Sequence, residues 1–156
     1  MITINIPGYG KLRLEHLVMD YNGTLAIDGN LIYGLKPLLS SLSGELKLHI
    51  ITADTFGTVQ KSIEGIDCQL KILKQDDQQL EKAGFIKDLD KNTVVAIGNG
   101  LNDSLMLKDT ALGIALIQKE GASTRTIMNS DIICTNIIDA LELLLNPKRI
   151  IATLRK

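Results

Sequence analysis

Leu17-Val18-Met19-Asp20-Tyr21-Asn22-Gly23-Thr24 decides how this chain folds. Three apolar residues run directly into an aspartate, an asparagine and a glycine. A short apolar run that ends in turn-forming residues reads as a strand buried on both faces. A second stretch has the same construction: Val94-Val95-Ala96-Ile97 leads into Gly98-Asn99-Gly100-Leu101-Asn102-Asp103. Two buried strands ending in acids and amides fit an open α/β sheet, which binds ligands beyond the carboxyl ends of its strands.

Outward from these two strands, the chain alternates strand and helix patterns. Ile2, Ile4 and Ile6 alternate with polar residues, Pro7-Gly8-Tyr9-Gly10 turns the chain, and Leu12 and Leu14 alternate again, which predicts a hairpin. Asp28-Gly29-Asn30 between apolar pairs predicts a second, tighter hairpin over 25–34. Helices are expected over 35–43, with Pro37 in the first turn, and over 55–64, ended by Gly65. Another is expected from 76 through 85, and a short one follows Asn102 or Asp103, either of which can cap it. Further strands are expected at 46–51, 68–73, 112–117 and 131–134, with a short helix over 122–129. Ile137, Ile138, Leu141, Leu144 and Leu145 recur at helical spacing before Asn146-Pro147. Strands alternating with helices imply a doubly wound, Rossmann-like parallel sheet covered on both faces. The expected organisation is one domain over 1–156, with an N-terminal hairpin at 1–15 and a basic tail at 147–156.

Composition narrows the function. A chain of 156 residues buries roughly 68–70% of its unfolded surface, enough for a core without staples. The net charge of −1 argues against nucleic acid and membrane surfaces as partners, since both select a basic excess. No run approaches a membrane span, and the N-terminus lacks the pattern of a signal peptide. Cys68 and Cys134 sit far apart in apolar segments and read as free thiols in a reducing compartment, so a cytoplasmic location is expected.

The two turns together carry a family likeness. Asp20-Tyr21-Asn22-Gly23-Thr24 and Gly98-Asn99-Gly100-Leu101-Asn102-Asp103 resemble the first and last signature motifs of the haloacid dehalogenase superfamily, most closely the phosphorylation domain of P-type ATPases. The likeness continues through Leu105, Leu107-Lys108 and 112–115, and runs from about His16 to Cys134. It implies the superfamily's sheet and an aspartyl-phosphate formed at Asp20. It also implies a phosphoryl site built from Gly23, Thr24, Thr52, Ala53, Asn102 and a lysine. Lys82 stands at about the expected distance before the glycine turn, and Lys74 is the alternative. The likeness implies Mg²⁺, with Asp20, Asn22, Asn99 and Asp103 as the candidate ligands. Thr52 closes a strand in Ile50-Ile51-Thr52-Ala53-Asp54, and Asp54 reads as a helix cap.

Two asparagines depart from the superfamily pattern. At position 22 its phosphatases carry the acid/base aspartate. A carboxamide cannot exchange a proton at neutral pH, and general acid–base catalysis contributes about 10²–10⁴-fold. Slow hydrolysis of the aspartyl-phosphate is therefore expected. At position 99 the usual metal-binding carboxylate is replaced by a neutral amide, which predicts weakened Mg²⁺ binding. Both asparagines precede glycine, which makes them candidates for deamidation.

The intervals after Thr24 and Thr52 are too short for a cap domain. The site is expected to be capless and open, bordered by the small hairpin flap. Such a site suits a bulky or macromolecular phosphorylated substrate, or a lid from a second subunit, so a homo-oligomer is among the expected states. The leading reading is a slow, Mg²⁺-dependent phosphatase or phosphotransferase without ion transport. The alternative is a phosphate-binding or regulatory module that does not turn over. A phospho-acceptor receiver domain fits less well, because it needs paired acids near its first strand and has no glycine turn after its fourth. His16 and His49 read as structural.

Overall fold

The computed structural model describes residues 1–53, 58–74 and 76–156. The chain begins with the expected hairpin, β1 (Ile2–Ile6) paired antiparallel with β2 (Gly10–Leu14). β3 (His16–Asp20) enters the main sheet, and β4 (Ala26–Ile27) with β5 (Asn30–Leu31) forms the small flap. Then follow α1 (Leu35–Ser43), β6 (Lys47–Thr52), α2 (Thr58–Ser62), β7 (Gln69–Ile72) and α3 (Gln78–Asp88). The second half runs β8 (Val94–Gly98), α4 (Ser104–Lys108), β9 (Leu112–Leu116), α5 (Thr124–Met128), β10 (Ile132–Cys134), α6 (Ile137–Leu145) and α7 (Pro147–Leu154).

The main sheet has six strands in the order β10-β9-β8-β3-β6-β7, all parallel. From β3 the chain winds outward through β6 and β7, returns to the other side of β3, and winds outward again through β8, β9 and β10. The reversal lies between β3 and β8, so their carboxyl ends border the crevice where such sheets bind ligands.

Alternation along each strand sorts the core into two layers. Leu17 and Met19 join α1, α6 and the β1–β2 hairpin on one face, while Val18 joins α3 and α4 on the other. α6 buries Ile137, Ala140, Leu141 and Leu144 on the apolar stripe its spacing predicted. Truncating Leu141 to alanine would cost about 2–5 kcal/mol. Asn136 caps that helix by accepting from the Asp139 amide at 2.8 Å.

The C-terminal segment over 147–156, read from the sequence as a basic and mildly amphipathic tail that docks on the sheet or a neighbouring subunit, packs against the chain's own core. It is a helix, α7, started by Pro147, and it buries Ile150 against the core shared with the N-terminal hairpin. The Lys156 amide donates to the Pro7 carbonyl at 3.1 Å. Its basic residues occupy the outer face of an amphipathic helix. The expected cap Asp54, and the start of the helix expected over 55–64, lie outside the described residues. His16 and His49 meet at 3.0 Å near the amino ends of β3 and β6, away from the crevice. Among the described residues no helix is long and apolar enough to cross a membrane.

Candidate active site

Asp20 ends β3 beside the reversal point, 8% exposed, and lines a cavity of about 240 Å³. The same cavity is lined by Asn22, Thr52, Ala53, Gln78, Lys82, Asn99, Gly100, Asn102 and Glu120. Seven of the ten positions expected from the sequence are therefore brought to one crevice. Thr52 reaches it from the end of β6, Lys82 from the buried face of α3, and Asn99 and Asn102 from the turn after β8.

Lys82 is the centre of the arrangement. Its Nζ donates to Asp20 Oδ1 and to Asp103 Oδ1, both at 2.6 Å, with 1% of the side chain exposed. Lys74, the alternative, is exposed and lies outside the cavity lining. Two carboxylates share one ammonium, so the trio is net negative when both are ionised. Burial and Asp103 push Asp20 up to about 7, against the opposing pull of Lys82. Burial alone would push Lys82 down, but the two carboxylates outweigh it and hold Lys82 above the ordinary lysine range.

The remaining three expected residues lie behind the crevice. Asp103 is fully buried, and its Oδ2 accepts from the amides of Asn99 at 3.0 Å and Gly100 at 2.9 Å. That carboxylate was expected as a metal ligand and as one of two candidate caps for α4. It folds back to close its own turn, and, against the expectation of a cap, it makes no side-chain cap. A Cβ on Gly98 would lie 2.5 Å from the Asp103 carboxyl carbon, so the turn requires glycine there. Asn102, the other candidate cap, donates to Gln78 Oε1 at 2.8 Å. Gly23 and Thr24 were expected to hold a phosphoryl group, yet their amides donate within the turn, to Ala26 and Tyr21 carbonyls. The Thr24 hydroxyl donates to Asn99 Oδ1 at 3.3 Å. Gly23 has φ +79°, and a Cβ there would collide with the Asn99 side chain. These two residues shape the turn that presents Asp20 and Asn22.

Two lining residues escaped the sequence reading. Gln78 opens α3, and Glu120 sits in the turn after β9. The signal available for Glu120 was its position: loops at the carboxyl ends of parallel strands face the crevice.

The donor set allows a test for Mg²⁺. Among the described residues no group of three or more His, Cys, Asp or Glu side chains is arranged to hold a metal. Asp20, the Asn22 main-chain carbonyl and Asn99 Oδ1 offer one charged and two neutral oxygens. Mg²⁺ commonly binds through one or two carboxylates together with substrate phosphate and water. The set therefore fits the ion when a phosphate completes it, and fits it poorly alone.

The architecture is that of the haloacid dehalogenase superfamily. The solved structures it matches include a 3-deoxy-D-manno-octulosonate 8-phosphate phosphatase from Moraxella catarrhalis, determined with magnesium, phosphate and the sugar acid. That match has a TM-score of 0.67 at 24% identity, covering 91% of this chain and 94% of that one. A Legionella pneumophila protein assigned to subfamily III A of the superfamily matches with a TM-score of 0.72 at 18% identity, covering 90% and 87%. The cobalt-bound Haemophilus influenzae deoxy-D-mannose-octulosonate 8-phosphate phosphatase matches with a TM-score of 0.70 at 10% identity, covering 88% and 90%. These likenesses establish the fold.

In sequence, the chain belongs to one family with the uncharacterized protein MJ0073 of Methanocaldococcus jannaschii. The two are 44% identical over 86 residues, 53% of this chain and 92% of that protein. No protein-family model matches the chain.

Proposed function

We propose that the protein is a slow, Mg²⁺-assisted phosphoric monoester hydrolase that works through an aspartyl-phosphate at Asp20. The observation that carries this reading is the Lys82 bridge: an ammonium clamped at 2.6 Å to the carboxylate that ends the central strand, inside a polar crevice. Phosphoryl transfer asks a protein chiefly for positioning and charge neutralisation. Lys82 supplies both, fixing Asp20 Oδ1 and offsetting the charge that a phosphoryl group brings. Thr52, 2% exposed at the end of β6, and Asn102 are the polar side chains that would donate to phosphoryl oxygens. Asp20, the Asn22 carbonyl and Asn99 would hold Mg²⁺, which when bound would shield the phosphoryl charge.

Turnover is slow in this reading because the Asn22 carboxamide cannot exchange a proton. The crevice, at about 240 Å³, is smaller than the roughly 300–1,000 Å³ of a site that encloses a drug-sized ligand. It admits a phosphoryl head, and the remainder of the substrate stays outside. This suits a phosphate monoester with a bulky or macromolecular remainder as well as a small phosphorylated metabolite like those of the structural neighbours. Cys68 and Cys134 are free, and burial pushes both thiols up, which keeps them unreactive.

The test is incubation of fresh protein with acetyl phosphate or p-nitrophenyl phosphate and Mg²⁺, with Asp20→Asn and Asn22→Asp alongside. Adduct and turnover lost in the first variant, with turnover raised in the second, support the enzyme. A wild type that forms no adduct and releases no phosphate would instead be a phosphate-binding module.

A further inference from the structure

The mechanism proposed above leaves a proton unassigned. Cleaving a phosphate monoester requires a proton for the leaving oxygen, and hydrolysing the aspartyl-phosphate requires one removed from water. Asn22 can do neither. Among the described residues lining the crevice, the ionisable side chains are Asp20, Lys82 and Glu120. Asp20 is the nucleophile, and Lys82 is held as an ammonium by two carboxylates. Glu120 is left.

Glu120 stands on a turn that is tied down on every side. Gln118 Nε2 donates to the carbonyls of Gly23 at 3.0 Å and Thr24 at 2.9 Å, which fixes the turn to the loop carrying Asn22. Gln118 Oε1 accepts from the Ile137 amide at 2.8 Å. The Gly121 amide closes the turn on the Gln118 carbonyl at 2.9 Å. Asn99 Nδ2 donates to the Gly121 carbonyl at 3.0 Å, a bond that an aspartate at 99 could not make. Glu120 Oε1 accepts from the Asp28 amide of the flap at 2.8 Å, which orients the carboxyl group. An exposed turn with no role would not need so many fixed contacts to the nucleophile loop.

We infer that Glu120 is the general acid and base of this site, and that Asn99 is a positioning residue for it. The inference rests on the phosphatase reading. As Asp20 attacks phosphorus, the bond from phosphorus to the leaving oxygen breaks and protonated Glu120 gives that oxygen its proton, releasing an alcohol. Glu120, now a carboxylate, takes a proton from water as the water oxygen attacks phosphorus. The bond from phosphorus to Asp20 breaks, inorganic phosphate leaves, and Glu120 is protonated again. The charged groups around it are Asp20 and Lys82 in the crevice, Asp28 on the flap and Lys119 beside it. The two asparagines then belong to one rearrangement: position 22 gives up proton transfer, and position 99 braces the turn that supplies it.

The experiment uses Glu120→Gln, which keeps an oxygen for the Asp28 amide. Alkyl phosphates depend on a general acid, whereas acetyl phosphate carries a good leaving group. Glu120→Gln is expected to lower kcat/KM for an alkyl phosphate by about 10²–10⁴-fold. It should leave the rate of adduct formation from acetyl phosphate within twofold and slow decay of the adduct. Adding Asn22→Asp should restore turnover, by a larger factor than the same change gives in the wild type. Unchanged alkyl phosphate turnover in Glu120→Gln overturns the assignment. So does an equal loss of adduct formation, which would mark a structural role, and so does a wild-type adduct that never decays. Absence of both adduct and phosphate release in the wild type overturns the phosphatase reading itself, and Glu120 with it.

Discussion

Two turns of this protein carry the same pair, an asparagine followed by glycine, and treat it in opposite ways. Asn22 is exposed, lines the crevice, and its side chain makes no hydrogen bond to the described residues. Asn99 is 7% exposed, and its amide is spent in both directions, accepting from Thr24 and donating to Gly121. An amide that is left free can meet whatever enters the crevice. An amide that is bonded at both ends braces its turn. The same residue type therefore plays two parts, and neighbouring atoms decide which.

The largest effect is expected where the two turns are joined. Lys82 bridges Asp20 from the first to Asp103 from the second. Lys82→Met keeps the bulk of the side chain and leaves two buried carboxylates without their cation. Breaking a buried pair in this way costs about 3–5 kcal/mol. Urea denaturation should show that loss, and the variant should form no adduct with acetyl phosphate. A loss below about 1 kcal/mol, the range of exposed ion pairs, would mean that the bridge is not buried in solution.

Aspartate at each asparagine in turn sharpens the contrast directly. Asn99→Asp replaces the donor to Gly121 with an acceptor, so a part-buried carbonyl loses its partner and meets a negative charge. The expected cost is about 1–3 kcal/mol without metal. Mg²⁺ should recover part of it, since a carboxylate strengthens the ligand set. Asn22→Asp, at an exposed position, should change stability by no more than about 0.5 kcal/mol while raising turnover. Thermal melts of the two variants with and without Mg²⁺ distinguish these outcomes. Equal destabilisation by both would erase the distinction between the turns.

The protonation of Asp20 gives a smaller and pH-dependent signal. With Asp20 raised to about 7, the folded state holds a proton that the unfolded state releases near pH 4. Stability attributable to this group is therefore present at acid pH and falls as pH rises toward 7. Asp20→Asn should remove that decline, so its melting temperature should exceed the wild type's above pH 7 and match it near pH 4. Adduct formation should move the other way in the wild type, rising through pH 7 as the nucleophile ionises. Melts and adduct rates that show no step between pH 5 and 8 would mean that Asp20 is ionised throughout.

The sequence was most legible where one local signal sufficed. The apolar runs ending at Asp20, Thr52 and Gly98 marked the strands and, through the carboxyl-end rule, the crevice. The bounds of α1 follow from the run between Gly34 and Gly44. Lys82 was found by its spacing from the glycine turn, because α3 has little amphipathic pattern and a lysine there looks solvated. The bonds that the Gly23 and Thr24 amides make within their own turn were not legible, because a motif does not say which amides its turn consumes. α7 was legible as an amphipathic segment that docks, because Ile150, Ile151 and Leu154 interrupt its basic residues, but its helical form was not stated. Glu120 was invisible because Lys119-Glu120-Gly121 has the composition of any exposed turn. What distinguishes it is its bond to the Asp28 amide, 92 positions earlier, and the bonds of its neighbours Gln118 and Gly121 to Gly23 and Asn99.

The smallest effect is chemical ageing, and it separates the two turns without any mutation. Deamidation proceeds when the amide nitrogen of the following residue attacks the asparagine side-chain carbonyl, expelling ammonia. In the second turn, Gly100 gives its N–H to the Asp103 carboxylate at 2.9 Å, and the Asn99 side chain is bonded at both ends. Attack there requires three bonds to be released together in a buried site. In the first turn the Gly23 N–H is held by the Ala26 carbonyl at 2.8 Å, a neutral acceptor, while the Asn22 side chain is exposed and unbonded. Peptide mapping of protein stored for weeks at mildly alkaline pH should find the amide-to-acid mass increase in the peptide spanning Asn22 and not in the one spanning Asn99. Because aspartate at position 22 restores a proton-exchanging group, phosphatase activity should rise with the extent of that conversion. Equal conversion of the two peptides would show that the second turn opens in solution as readily as the first, and the bracing role given to Asn99 would fall with it.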